Sequence, residues 1–71
     1  MKQHTKGRHT RSDMLEFIET FIDENGYSPN YREIGNQLGF APSVVKYHLE
    51  RLERQGKVTR VPGRARTLRI L

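Results

Sequence analysis

The stretch that decides the fold is YREIGNQLGFAPSVVKYHLE, residues 31–50. Apolar residues recur there at three- and four-residue spacing on both sides of a short break, which indicates two helices that each bury one face. Gly39 supplies the turn between them, and Gly35, in place of the more usual alanine, lies where the helices pass closely. The inward apolar residues are Ile34, Leu38, Phe40, Val45 and Leu49. The stretch therefore predicts a helix-turn-helix.

Capping residues predict where the two helices begin and end. Asn30 can cap a second helix over about residues 30–38, with Glu33 placed three residues later as in a capping box. Pro42 suits the first position of a third helix, because a missing N–H has no cost there. Gln55-Gly56 is expected to end that helix.

Upstream, residues 10–25 carry a wide apolar stripe that predicts a first helix. Thr10 with Asp13 has capping-box spacing, and Ser12 is a rival cap. Asn25-Gly26 is expected to end the helix. The stripe consists of Met14, Leu15, Phe17, Ile18, Phe21 and Ile22.

Downstream, the helical spacing of apolar residues ends and two β-prone runs follow, residues 58–61 and 67–70. Pro62-Gly63 suits the centre of a type II turn between them. We therefore predict an α+β fold, a winged helix-turn-helix with three helices followed by a two-stranded β-hairpin wing, over residues 10–71. A short extra strand before the second helix is compatible with the pattern. Residues 1–9 are polar and lack periodicity, which predicts a flexible basic arm.

The composition limits what so small a chain can do. Its 71 residues can fill a core but cannot also enclose a sizeable substrate cavity, so we do not expect an enzyme or a small-molecule substrate. The absence of cysteine excludes disulfides and thiolate metal sites. No apolar run approaches the roughly 18 residues of a membrane span, so we expect a cytoplasmic protein without membrane contact. His4 and His9 lack further ligands, and no metal or cofactor is expected.

The net charge of +5 is distributed unevenly. Residues 1–11 carry four basic side chains and no acidic one, residues 12–26 carry five acidic and no basic ones, and residues 57–71 carry five basic and no acidic ones. The first helix is therefore acidic and both ends of the chain are basic. This separation favours a polyanion partner, predicted to be double-stranded DNA, although a surface kept soluble by charge is the alternative.

The third predicted helix has a polar side opposite its apolar one. In a DNA-binding helix-turn-helix, the N-terminal half of this helix faces base edges in the major groove. Lys46 can bind guanine O6 and N7, Ser43 a base edge or phosphate, and Tyr47 a phosphate or thymine methyl. The residues predicted to contact bases are Pro42, Ser43, Val44, Lys46, Tyr47 and Glu50.

Three positions on this helix allow more than one interpretation. Glu50 can accept from cytosine N4 or pair with Arg54 four residues later. Val44 can cover a thymine methyl or pack beside the second helix. His48 borders the apolar stripe, and a packed or capping role is favoured over a catalytic one because no nucleophile or second base accompanies it.

Further residues are predicted to contact the DNA backbone. Arg64 and Arg66 flank the wing turn and suit phosphate contact or insertion into a narrow minor groove. Alternatively, they protect exposed strand edges from pairing. No acidic residue follows Glu53, which favours nucleic acid. The predicted backbone and wing residues are Tyr31, Arg32, Arg51, Arg54, Arg60, Arg64, Arg66 and Arg69.

Residues 12–71 resemble the N-terminal DNA-binding domain of LexA-type repressors. The resemblance rests on LEFIETFIDENGYSPNYREIGNQLGF, on HLERLERQGKV and on a wing ending in TLRIL. The segment NGYSPNYREIG, with LGF and HLERLE, is fairly specific to that family. The resemblance implies a transcriptional repressor domain whose third helix carries Ser43, Val44, Lys46 and Tyr47 into the major groove.

The chain departs from that family in two respects. It is one residue shorter between Phe40 and His48, which alters the start of the recognition helix, so the family's operator is not assumed. The self-cleaving serine–lysine domain that follows in the family has no counterpart here, and we expect neither its chemistry nor its dimerisation surface. We expect a monomer in solution that pairs on DNA. The alternative function is a protein–protein interaction module of the same fold without sequence-specific DNA binding.

Overall fold

The computed structural model describes residues 11–71 and shows three helices followed by a two-stranded antiparallel hairpin. In chain order the elements are α1 (Arg11–Asn25), α2 (Tyr31–Leu38), α3 (Pro42–Arg54), β1 (Val58–Thr59) and β2 (Arg69–Ile70). This confirms the predicted α+β winged helix-turn-helix. Ser12 lies inside α1 rather than capping it. The predicted arm, with His4 and His9, and the capping-box residue Thr10 lie outside the described residues. None of the helices in the described part is long and apolar enough to cross a membrane.

The hydrophobic core lies between the three helices and the hairpin. Its buried side chains are Met14, Ile18, Ile34, Leu38, Val45, Leu49, Leu52, Val58 and Leu68. Burying a large aliphatic side chain contributes about 1.5–3 kcal/mol, so this cluster fixes α3 against the other elements. Leu15, Ile22, Phe40 and Ile70 pack against the cluster but are only partly buried.

The predicted capping box begins α2, and a tight turn ends it. Asn30 Oδ1 accepts from the N–H of Glu33 at 2.8 Å, and Glu33 Oε1 accepts from the N–H of Asn30 at 2.9 Å. Gly39 follows α2 in the left-handed conformation, with φ 80°. Its N–H and that of Phe40 both donate to the carbonyl oxygen of Gly35. A side chain at position 35 would overlap the carbonyl oxygen of Phe40, so this turn requires glycine there.

The hairpin is paired over fewer residues than the β-prone runs predicted. The two residue pairs are Val58–Ile70 and Thr59–Arg69. Pairing stops there because the N–H of Val61 donates to the hydroxyl of Thr67 at 2.9 Å instead of to a backbone carbonyl. The predicted turn is present, since the N–H of Arg64 donates to Val61 O at 3.2 Å and Gly63 has φ 78°, as a type II turn requires.

A buried serine replaces the extra strand considered before α2. Within residues 11–71 the sheet has two strands only, so the extra strand that the sequence left open is absent there. The hydroxyl of Ser28 accepts from the N–H of Leu68, the residue before β2, at 3.1 Å. Pro29 follows directly and has no N–H to extend a ladder. This side-chain hydrogen bond attaches the residue before β2 to the segment that enters α2.

Candidate nucleic-acid interface

The exposed face of α3 carries most of the residues predicted to contact bases. Its exposed side chains in the first two turns are Pro42, Ser43, Val44, Lys46 and Tyr47. Its buried side chains are Val45, Leu49 and Leu52. Because the buried side is held by the core, the other side forms one outward surface. Val44 is 39% exposed and Tyr47 54%, so packing beside α2 does not cover Val44.

The N-terminus of α3 is electrostatically positive. Its cap residue, Ala41, has no side chain that accepts a hydrogen bond, and the first turn contains no acidic residue. The partial positive charge of the helix dipole at this end is therefore not offset by a local carboxylate. Together with exposed Lys46, this end of the helix favours a negatively charged ligand.

An open groove of about 490 Å³ lies beside this surface, between the start of α2, the start of α3 and the wing loop. Each of the three elements supplies a basic side chain to it, namely Arg32, Lys46 and Arg64. Of the predicted residues, the groove brings together Tyr31, Arg32, Pro42, Lys46, Arg60, Arg64 and Arg66. A phosphate backbone is a ligand whose charge matches such a groove.

Arg60 is held at the base of the wing rather than presented outward, with only 17% of its side chain exposed. It donates to the hydroxyl of Tyr31 at 3.0 Å and to Oε1 of Glu53 at 3.2 Å. Glu50 lies 4.0 Å from it and therefore faces Arg60 rather than Arg54, the partner considered from the sequence. Burial opposes the charge of Arg60, but the neighbouring Tyr31, Glu53 and Glu50 raise its pKa.

Arg66 turns back onto the start of α2. Its two Nη atoms donate to the two carboxylate oxygens of Glu33 at 3.0 and 3.1 Å, and Nη1 also donates to Ser28 O at 3.2 Å. Its guanidinium lies 4.9 Å from the ring centroid of Tyr27. The hydrogen bonds from Arg66 and from the N–H of Asn30 lower the pKa of Glu33, and the same contact with Glu33 raises the pKa of Arg66.

The remaining predicted backbone residues do not converge on the groove. Arg54 is exposed at the end of α3, and Arg51 is half-buried with its guanidinium 5.7 Å from the ring centroid of Tyr47. Arg69 lies on another side of the domain, where it lines a second groove with Glu19 and Asp23 of α1.

His48 is packed, one of the two roles expected from the sequence. Its ring lies 5.4 Å from that of Phe40, and Nη1 of Arg11 approaches its Nδ1 at 3.5 Å. Burial, with the positive charges of Arg11 and Arg51, lowers its pKa, which favours the neutral form of the ring. Within residues 11–71, no three His, Cys, Asp or Glu side chains are placed to hold a metal ion.

Sequence reasoning missed the residues that hold the wing, which are Tyr27, Ser28 and Glu33. Glu33 was recognised only as a capping residue, although it also binds an arginine 33 residues away in the chain. No periodic spacing indicates a contact at that separation. The acidic side chain in the first turn of α2 was the one available indication of a cation partner.

Comparison with known proteins identifies the family. The profile described as LexA DNA binding domain matches residues 3–67. The LexA repressors of Bacillus mycoides (strain KBAB4) and Bacillus anthracis are each 44% identical to this chain over 62 residues. The match covers 86% of this chain but 30% of each repressor, so the chain spans less than a third of their length. With a family profile matched over most of its residues, the chain belongs to the LexA DNA-binding domain family.

Proposed function

We propose that this chain binds double-stranded DNA sequence-specifically and represses transcription, with α3 in the major groove and the wing against the backbone or minor groove. One observation carries the proposal: the exposed start of α3 adjoins a groove that is basic on three sides, so one duplex can contact both. Lys46 belongs to both surfaces. Membership of the LexA DNA-binding domain family and similarity to proteins named LexA repressor support the same function.

In this proposal, the first two turns of α3 contact base edges. Lys46 donates to O6 and N7 of a guanine, the contact that best suits its exposed ammonium. Ser43 and Tyr47 contact neighbouring bases or phosphates, and Pro42 and Val44 supply apolar contact. Glu50 is half-buried beside Arg60, and we assign it a contact with cytosine N4 at the edge of the interface.

Basic side chains around this surface contact phosphates. Arg32 and Arg64 flank the groove, and Arg51 and Arg54 extend the positive surface along α3. Arg69 lies away from this groove, beside Glu19 and Asp23, and adds positive charge at longer range from β2. Arg60 and Tyr31 support the wing from beneath. Such contacts position a protein on the duplex without selecting its sequence.

This function requires neither catalysis nor a cofactor, because groove and backbone recognition uses side chains and helix dipoles alone. The chromosome of a bacterium is cytoplasmic, and the similar repressors are from Bacillus. We therefore propose that the chain is a bacterial or phage-like protein that acts in the cytoplasm in association with the nucleoid.

Salt dependence tests DNA binding directly. If about four to six basic side chains touch phosphates, log K should fall with log salt with a slope of roughly −4 to −5, because each neutralised phosphate releases a counterion. Fluorescence anisotropy of a labelled duplex between low and moderate salt measures the slope. As a matched control, Lys57→Gln removes an exposed positive charge outside the proposed interface and should leave the slope unchanged. A slope near zero, or no binding at low salt, contradicts the proposal.

We further propose that the chain is a monomer in solution and pairs on DNA. Most large apolar side chains of residues 11–71 belong to the one core or pack against it, which leaves no second stripe among these residues for a helical dimer. The +5 charge opposes self-association at low salt. One recognition helix and one wing cover few base pairs, so two copies on adjacent half-sites would extend the sequence that is recognised.

Paired half-sites should therefore bind more tightly per site than a single half-site, because DNA holds both copies at a high effective concentration. Sedimentation without DNA, at tens of micromolar, should report a mass near 8.3 kDa. A duplex with half-sites about 10 base pairs apart should show this higher affinity per site. Adding about 5 base pairs places the second copy on the opposite side of the helix and should abolish it. A stable dimer without DNA, or equal per-site affinity on all duplexes, contradicts the proposal.

A further inference from the structure

The wing loop is fastened to the start of α2 through a single side chain, that of Arg66. Two parallel hydrogen bonds join it to Glu33, a third joins it to the carbonyl oxygen of Ser28, and its guanidinium lies against the ring of Tyr27. A bidentate arginine–carboxylate pair fixes orientation as well as distance. The contact therefore determines where the loop lies relative to the groove.

The backbone at Arg66 shows that these contacts hold the loop in an unfavourable conformation. Among residues 11–71 it is the one non-glycine residue with positive φ, at 60°. An L-residue with a side chain enters this region at a cost of about 1–2 kcal/mol. Such conformations persist where surrounding contacts determine them, and the contacts here are those of the guanidinium.

Glu33 joins two parts of the interface, because the carboxylate that receives Arg66 also caps α2. Its Oε1 accepts from the N–H of Asn30 as well as from Arg66. Tyr31 and Arg32 lie between Asn30 and Glu33 and form one wall of the basic groove. The wing loop forms another wall. One carboxylate thus sets the relative position of two walls.

Arg64, two residues earlier, has the opposite environment. It is exposed, it lines the groove, and its side chain has no hydrogen-bond or ion-pair partner among the described residues. If Arg66 moved to a phosphate, it would abandon Glu33 and leave an unpaired carboxylate close to the DNA, which like-charge repulsion disfavours. Arg64 can bind a phosphate without breaking any contact.

We infer that Arg66 is a positioning residue and not a phosphate ligand: its ion pair with Glu33 holds the wing so that Arg64 meets the DNA backbone. The inference rests on the proposed DNA binding and assigns different roles to two arginines that stand two residues apart. It also makes Glu33, an acidic residue, necessary for binding a polyanion.

Glu33→Gln separates this role from a direct phosphate contact. Glutamine preserves the capping position, removes a negative charge near the DNA and leaves the charge of Arg66 intact. If Arg66 were a phosphate ligand, this change would strengthen binding. A positioning role predicts about tenfold weaker binding, a size typical of coupled contacts. Arg66→Gln should weaken binding similarly, and the double variant no further. Should Glu33→Gln fail to fold, Arg66→Lys tests the same ion pair. Lysine keeps the positive charge but cannot form the two parallel hydrogen bonds of the planar guanidinium.

The salt slope and amide exchange complete the test. Arg64→Gln should make the slope of log K against log salt shallower by about one unit. Glu33→Gln should do the same, because a wing released from Glu33 no longer holds Arg64 against its phosphate, and combining the two changes should make the slope no shallower than either alone. A direct phosphate contact by Arg66 would instead leave the slope of Glu33→Gln at the wild-type value. In the free protein, Glu33→Gln should speed exchange of the wing amides, including the N–H of Leu68. Tighter or unchanged DNA binding by Glu33→Gln, a wild-type slope for Glu33→Gln, or unchanged amide exchange overturns the inference. Wild-type protein that fails to bind any duplex instead overturns the proposed function, and amide exchange still decides whether Glu33 anchors the wing.

Discussion

Replacing Lys46 with alanine is expected to change which DNA sequences the chain prefers and to cost about 1–3 kcal/mol at the preferred site, or about 5- to 150-fold in affinity. Lys46 is the one basic side chain in the first two turns of α3, and it is exposed on the side away from the core. The substitution removes a guanine contact only from duplexes that carry that guanine, so those duplexes should lose affinity relative to the others. Titration of duplexes that differ from the preferred site by one base pair measures the change.

Wing variants supply the contrast for this prediction. Arg64→Ala should weaken binding to all duplexes by similar factors, because phosphates are present in every sequence. Lys57→Ala, at an exposed position outside the interface, should change neither affinity nor preference. If Lys46→Ala instead lowers affinity for every duplex equally, Lys46 contacts the backbone and another residue of α3 contacts the guanine.

Leu49→Ala should destabilise the fold by about 2–5 kcal/mol, the usual cost of such a truncation in a core. Leu49 is 0% exposed on the inner side of α3, so alanine leaves a cavity directly beneath the recognition surface. A domain of 71 residues has a total stability of only about 4–10 kcal/mol. The variant should therefore unfold at a much lower urea concentration and lose DNA affinity with its fold.

Val44→Ala is the matched control on the same helix. Val44 is 39% exposed, and its truncation should change the free energy of unfolding by less than about 0.5 kcal/mol. Any effect on DNA binding would then come from the interface itself. Equal urea midpoints for Leu49→Ala and the wild type would show that α3 is not held by this core.

The fold was predictable because its determinants are local. Helical spacing, the capping box at Asn30 and the glycine after α2 each depend on residues a few positions apart, and each appears in the structure. The strands were predicted too long because β propensity gives no indication that the hydroxyl of Thr67 satisfies the backbone of Val61. For the same reason, the sequence left open a short extra strand before α2, where the structure has a hydrogen bond from the N–H of Leu68 to the hydroxyl of Ser28.

The candidate site also has a part that could be predicted from the sequence and a part that could not. The outward face of α3 follows from its periodicity, so the exposure of Lys46 and Tyr47 could be predicted. The environments of the wing arginines could not, because Arg64 and Arg66 have the same chemistry and differ only in what lies beneath them. Arg69 could not be placed from the sequence either, since the hairpin turns it towards the acidic end of α1.

Selection from a pool of random duplexes is the most direct measurement of whether this domain recognises a DNA sequence. The exposed start of α3 predicts that one motif is enriched. The selected duplex should bind at least about a hundredfold more tightly than a shuffled duplex, since each mismatched base pair costs about 1–3 kcal/mol. A pool that stays random after repeated rounds, with equal affinity for selected and shuffled duplexes, would contradict sequence-specific DNA binding.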